Sequence, residues 1–424
     1  MDQTRSYLTA GARPVSTTDA GGRVLYLGSF LDEAIVAERG LRSHNAAGSN
    51  RMQRLSQALR RAGFRPILLS PATSLRAVRK GGPWLHPARV RRRGGMAVVH
   101  APALNVIGLN MLTAPFFQLA VMRRIRRRPL KGGIVYNFSP GLVLLTAWLA
   151  MTSGLRIVNN VEDVSVPVLS DWSRRSEARP VQQLVFWLCM HLVARMSDAY
   201  LVPTRRFLSY LPRKTSVSVE VVTGCIDIPS QADDVPAPPP LRVLYAGKVE
   251  REHGIVQFVE ALEMLDRTGA ATRLRADISG AGPMSDWVAG RLATLDNLPV
   301  TQHGFVSRAE YAELLGAAHV CVVLQDPDGR YADFKTPSKI YEFLGHGKAV
   351  ITTPVGDVGE LPRDALVLLD DLSAKEIAAH LDRLATGPER VAELQHNAGT
   401  HAVEAFSYET VGRRLGRLLT GVAA

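Results

Sequence analysis

A chain of 424 residues with 46% hydrophobic content is long enough for two ordinary domains, each with a core of its own. Its formal net charge of +12 points to an anionic partner, but no RNP, KH, zinc-finger or helix-turn-helix signature is present and no aromatics interleave with the basic runs, so nucleic acid is not expected. Cys189, Cys225 and Cys321 lie too far apart for a disulfide framework or a metal-ligand spacing, and they read as small buried side chains of a cytoplasmic protein.

In chain order, residues 1–22 are polar and lack the apolar segment of a secretory signal, which predicts a disordered lead-in with the fold starting at Arg23. Residues 23–225 alternate short β-branched runs with helical patterns, the strands being RVLYLGS, RPILLSP, MAVVHAP, GIVYNFS, LRIVNNVED, DAYLVPT and SVEVVTG. Such alternation predicts right-handed βαβ units around a parallel sheet. This half is basic, with clusters at Arg89, Arg91, Arg92 and Arg93 and at Arg123, Arg124, Arg126, Arg127, Arg128 and Lys131, whereas the following half is acidic.

Two stretches, 94–122 and 132–155, contain no charged residue and are long enough to span a bilayer. The first carries His100, Asn105, Asn110, Pro115 and Gln118 and the second Asn137, Ser139 and Pro140. Each divides into a strand followed by a helix, so both are read as buried or interfacial segments and not as spans. Beside the arginine clusters they predict peripheral attachment to the anionic inner face of the plasma membrane.

Residues 226–241, IDIPSQADDVPAPPPL, have no periodicity and are rich in proline and acid, as a linker is. The alternation restarts over 242–405 with LRVLYAGK, LRADISGAG, VTQHGF, HVCVVLQ, KAVITTP and ALVLLD. A second doubly wound domain follows, and two such domains create a cleft at the carboxyl ends of both sheets. The tail reads as two or three helices, of which the last, in 406–424, carries Val411, Leu415, Leu418 and Leu419 on one face and must dock on apolar surface.

The second half supplies groups for a diphosphate, a ribose and a base. Gly247 follows the first strand of that domain and allows close backbone approach, while Lys248 can neutralise a phosphate near the incoming helix N-terminus. Gly280 and Gly282 in SGAGPM form a second glycine turn. In DFKTPSKIYEFLGHGKAVITTPVGDVGEL, Pro337 opens a helix whose free amides, with Thr336, Ser338 and Lys339, can bind an anion. Glu342, one turn on, can accept hydrogen bonds from vicinal ribose hydroxyls.

The order GK, G-x-G-P, HGFVSRAEYAELLGAAHVCVVL, P-S-K-x-x-E-F-L-G-x-G-K-A-V-I-T-T and V-G-x-x-x-E-L over residues 241–362 resembles the C-terminal domain of family-4 glycosyltransferases. The N-terminal half is similar more loosely, through a glycine-containing loop with Gly48, Ser49 and Asn50 after the first strand, VNNVEDV and SDAYLVPT. The resemblance implies a GT-B fold, in which two Rossmann-like domains face a cleft and a C-terminal helix crosses back to the N-terminal domain. It implies a retaining transfer from a nucleotide diphosphate sugar with no metal or other cofactor.

Carried over, Lys248 would sit on the donor diphosphate, Glu342 on the ribose and Gly304, Phe305 and Val306 near the base. His253 stands where the family often has a second basic residue, and Asp333 beside Phe334 where many members have a glutamate that contacts the sugar. Glu162 or Asp163 occupies the position of an N-terminal-domain histidine and is the candidate for orienting the acceptor or stabilising oxocarbenium charge. The acceptor expected with membrane attachment is a lipid-linked glycan or glycolipid of a bacterial envelope or exopolysaccharide. The alternatives are a nucleotide-sugar epimerase of the same fold and a non-catalytic membrane- or nucleic-acid-binding protein.

Overall fold

The computed structural model describes residues 22–41, 46–73, 82–162, 180–209, 211–212, 217–228, 240–329 and 332–421. The expected lead-in up to residue 21, the middle of the expected linker and Asp163 therefore lie outside the described residues.

The first domain runs β1 (Arg23–Leu27), α1 (Glu33–Arg39), α2 (Ala46–Arg61), β2 (Arg65–Ser70), β3 (Leu85–His86), β4 (Arg89–Arg93), β5 (Met96–His100) and β6 (Ala103–Leu104). It continues with α3 (Leu109–Ile125), β7 (Leu130–Tyr136), α4 (Pro140–Ser153), β8 (Ile157–Asn160), α5 (Pro180–Met196), β9 (Ala199–Val202) and β10 (Ser218–Val221). The second runs β11 (Leu241–Ala246), α6 (Ile255–Asp266), β12 (Leu274–Ser279), α7 (Ser285–Leu292), β13 (Val300–Gly304), α8 (Arg308–Ala317), β14 (Val320–Val323), α9 (Ser338–Gly345), β15 (Ala349–Thr352) and β16 (Val367–Leu368). Three helices close the chain, α10 (Ala374–Thr386), α11 (Pro388–Phe406) and α12 (Tyr408–Thr420).

The N-terminal sheet has the order β10-β9-β8-β7-β1-β2-β5-β4 and the C-terminal sheet β13-β12-β11-β14-β15-β16. Every pairing in both is parallel except β4 with β5. The exception is an arginine-rich edge strand, RVRRR, which the sequence reading took only as a charge cluster. Strand order reverses between β1 and β7 and again between β11 and β14, and an open α/β sheet leaves its ligand crevice at such switch points.

Both faces of each sheet are covered, so the central strands read as continuous apolar runs and not as alternating ones. In β1, Val24 and Tyr26 join one core cluster and Leu25 and Leu27 the other. Helices α3, α4 and α5 cover the second face. The first is covered by α2 and by α12, which brings Val411, Leu415, Leu418 and Leu419 back onto the N-terminal domain. Gly412 permits this close helix contact, since a Cβ there would stand 2.1 Å from the Ala58 carbonyl oxygen. A parallel bridge between Ile226 and Ser407 ties the two chain crossings to each other.

Candidate active site

Between the domains lies a cavity of about 920 Å³, walled by Asn50, Gln53, Arg54 and Arg93 on one side and by Gly247, Lys248, Gly280, Phe305, Arg308, Tyr311, Lys339 and Glu342 on the other. The cations outnumber the carboxylates on these walls. Arg54, Arg93 and Arg308 have no carboxylate partner among the described residues, so the cavity presents uncompensated positive charge to a ligand.

The turn after β11 is held from beneath. The Tyr245 ring stacks on Phe258 with centroids 5.5 Å apart, and its hydroxyl donates to the Lys248 carbonyl at 2.8 Å and lies 3.1 Å from that of His253. The Lys248 ammonium is exposed and meets Glu250 at 3.3 Å, and His253 meets the same carboxylate at 3.1 Å. Burial lowers the His253 pKa, with Glu250 opposing, so the imidazole is the weaker cation of the two. The helix N-terminus expected directly after Gly247 is not there, because a single turn of 3-10 helix, Arg251–His253, intervenes before α6.

The glycines of the second turn serve mainly to pack backbone on backbone. A Cβ on Gly280, whose φ is +133°, would stand 1.7 Å from the Gly247 carbonyl oxygen, and one on Gly282 would stand 2.3 Å from that of Val249. Gly280 still reaches the cavity wall, and Gly282 does not. Gly304 likewise stays off the wall, whereas Phe305 and Val306 line it. Phe305 is 90% exposed, the most exposed of the large apolar residues among those described.

Along α9, Lys339, Glu342 and His346 share the face that lines the cavity, as their helical spacing requires. Lys339 pairs with Glu342 at 3.2 Å and lies 3.8 Å above the Tyr311 ring. Burial lowers the Lys339 pKa while Glu342 raises it. Lys339 thus reaches the cavity wall already paired with Glu342, so it would meet an anion as half of an ion pair. Thr336, Pro337 and Ser338 sit at the start of α9, off the walls, with Pro337 capping by backbone alone.

Three further expectations are revised. Gly48, Ser49 and Asn50 are not a loop but the opening of α2. There the Ser49 hydroxyl accepts from the Leu31 amide at 3.1 Å and only Asn50 reaches the cleft. Asp333 turns to the N-terminal domain and pairs with Arg206 at 3.3 Å, next to an edge-on contact of Phe334 with Phe207. Glu162 stands at the carboxyl end of β8 but off the cavity walls, because other groups hold it. It accepts from the Tyr136 hydroxyl at 2.5 Å, its amide donates to Asn137 at 2.7 Å, and Arg51 lies 3.9 Å away. Asn137 adopts a left-handed φ of 57° to make that contact, a local strain fixed by its neighbours.

The sequence reading missed Arg54, Arg308 and Tyr311, and took Arg93 only as part of a charge cluster and not as a cavity residue. Two signals were available. Arg54 follows Asn50 by one helical turn, and the S-x-x-E capping box of Ser307 and Glu310 marks a helix start whose first turn holds Arg308 and Tyr311. Among the described residues no group of three or more His, Cys, Asp or Glu side chains converges as metal ligands would.

Residues 240–386 match the family described as Glycosyl transferases group 1. The glycogen synthase of Mycobacterium tuberculosis is 24% identical over 322 residues, which cover 72% of this chain and 74% of that one. Among solved structures, sucrose-phosphate synthase from Thermosynechococcus elongatus superposes with a TM-score of 0.60 at 16% identity, covering 94% of this chain and 98% of that one. Anabaena HepE in complex with UDP superposes with a TM-score of 0.61 at 15% identity, covering 94% and 100%.

Proposed function

We propose that this chain, a glycosyltransferase of GT-B architecture, takes a sugar from a nucleoside diphosphate donor bound mainly by its C-terminal domain and transfers it with retention, as in family 4. The observation that carries this reading is the two-sided cavity, where one wall sets Lys248, an exposed Phe305 and Glu342 around a space of about 920 Å³. Phe305 offers a face to the base, Glu342 accepts from the ribose hydroxyls, and Lys248 faces the diphosphate. The Anabaena neighbour bound to UDP supports a donor of this kind.

Departure of the nucleotide concentrates negative charge on the diphosphate. Lys248 on one wall and Arg54 on the other stabilise that charge without a metal, and the departing phosphate takes the proton of the incoming hydroxyl on the same face. UDP, GDP and ADP are to be compared by thermal shift, and the matching sugar nucleotide by transfer, with the product anomer read by NMR. A nucleotide response, an anomer that keeps the donor configuration and full turnover in EDTA are expected. Inversion, or activity lost to EDTA and restored by Mg²⁺ or Mn²⁺, would contradict the reading. Donor conversion without any acceptor would identify an epimerase.

The acceptor in this reading is lipid-linked and presented from an anionic leaflet. Support comes from apolar side chains left in solvent around the helices of one N-terminal-domain face, with Ile107 67%, Leu112 69%, Phe116 64%, Met151 79% and Val181 70% exposed. Exposed Arg123, Arg124, Arg127 and Arg128 follow at the end of α3. Among the described residues no helix is long and apolar enough to cross a membrane. Each basic residue near an anionic leaflet contributes about 1 kcal/mol, so four suffice for salt-sensitive binding. The solved lipopolysaccharide glycosyltransferase WaaG shares the fold, with a TM-score of 0.55 at 12% identity. Sedimentation with anionic but not neutral liposomes at low salt is expected, and to be weakened by Leu112→Ser with Phe116→Ser. Protein left in the supernatant with both vesicle types rules the membrane out.

A further inference from the structure

Lys339 is held on more sides than its ion pair. Its ammonium lies 3.8 Å above the centroid of the Tyr311 ring and 5.9 Å from that of Phe343, while Glu342 meets it at 3.2 Å. An aromatic face attracts a cation most strongly where water is excluded, and burial is the largest influence on this ammonium. The two rings come from different places. Phe343 follows Lys339 by one turn of α9, whereas Tyr311 is delivered from α8, whose start is fixed by the Ser307–Glu310 capping box one turn before it.

Facing the ammonium besides Glu342 are Arg54 of α2, Cys321 of β14 and Tyr311 itself. Arg54, on the opposite wall, repels it. Burial pushes the Cys321 thiol up to about 12, and burial with Glu342 nearby raises the Tyr311 phenol, so both stay neutral near pH 7. The Glu342 carboxylate and the Tyr311 face are left to keep Lys339 charged. The dependence is mutual, because a carboxylate is oriented only as well as the cation it is paired with.

We propose that Tyr311 is a positioning residue of the donor site, its ring seating the Lys339 ammonium so that Glu342 presents its carboxylate to the ribose hydroxyls in one orientation. The proposal rests on the nucleotide-donor reading of the cleft and deepens it. Recognition of the nucleoside hydroxyls then depends on a residue of a different helix from the carboxylate that touches them.

In the full chain, calorimetry compares UDP, GDP and ADP with their 2′-deoxy counterparts. Heteronuclear NMR of the lysine ε-methylene groups follows the titration of Lys339, whose signal is identified by its loss in Lys339→Met. The wild type is expected to bind at least one ribonucleotide about 10-fold more tightly than its 2′-deoxy counterpart, since the latter lacks a hydrogen bond to a carboxylate. Tyr311→Leu is expected to reduce that ratio to about 2-fold or less and to lower the pH at which Lys339 titrates by roughly 0.5–1 unit, because the ring favours the charged ammonium. Tyr311→Phe keeps the ring and is expected to retain both values. A packing role alone would weaken both nucleotides alike and leave their ratio unchanged. Should Tyr311→Leu fail to show cooperative thermal unfolding, Tyr311→Met takes its place. A wild-type ratio in the leucine variant, an unmoved Lys339 titration, or a phenylalanine variant as impaired as the leucine one overturns the proposal. A wild type without any ribose preference would fail the contact of Glu342 with the ribose instead, and the Lys339 titration would still decide whether Tyr311 seats the ammonium.

Discussion

Alanine at Lys248 or at Glu342 is expected to lower kcat/KM by about 100-fold or more while thermal unfolding stays near that of the wild type. Lys248 is exposed and meets only Glu250, so its removal leaves no buried charge and no cavity. In the proposed mechanism what is lost is a cation beside a leaving diphosphate, an effect concentrated in the transition state and therefore visible in kcat. Glu342 differs, because Lys339 loses its counter-charge along with the ribose contact. Burial already lowers the Lys339 pKa, and loss of Glu342 lowers it further, so the Glu342→Ala variant should fall in activity at a lower pH than the wild type does on the alkaline side. Near-normal kinetics in either variant would remove that residue from the site. A pH profile unchanged in shape would detach Lys339 from Glu342.

Replacing Arg39 by methionine is expected to cost about 3–5 kcal/mol of stability, measured by urea unfolding. The side chain is 2% exposed, and its guanidinium donates to four carbonyls, those of Pro71, Ala72, Pro87 and Ala101, at 2.9–3.2 Å. These carbonyls belong to the segments leaving β2 and β5 and to the approach to β4. One of them, on Ala72, is in a left-handed conformation with φ 46°. Methionine fills the volume but leaves buried acceptors without donors, which is the larger loss. Lysine should recover only part, since an ammonium cannot reproduce the flat fork. A midpoint shifted by less than about 0.5 kcal/mol would show that the carbonyls find other donors. Arg39 reads in sequence as one more surface charge, and nothing local marks it as the clamp of this edge.

The C-terminal wall of the cavity was largely legible in the chain because its parts are local. Gly247 with Lys248 and the helix bearing Lys339 and Glu342 each follow or precede a strand, and strand alternation alone sends all of them to one end of a parallel sheet. Periodicity likewise gave the docking face of α12, since Val411, Leu415, Leu418 and Leu419 recur at helical spacing whatever they pack against. The N-terminal wall was not legible. Arg54 and Arg93 enter the cleft from a helix and an edge strand far apart in sequence, and Glu162 is drawn away by Tyr136 and Arg51. Arginine has the same local signature in a salt bridge, a carbonyl clamp and an open cavity. Its role is set by which groups the tertiary fold leaves within hydrogen-bond reach, as Arg39, Arg91 and Arg54 demonstrate within one domain. The sequence thus determined the two sheets, the ends at which they meet and the residues of the C-terminal wall. Only the packing of α2, β4 and α12 decided which charges stay unpaired, because pairing depends on distances through space that no residue pattern encodes.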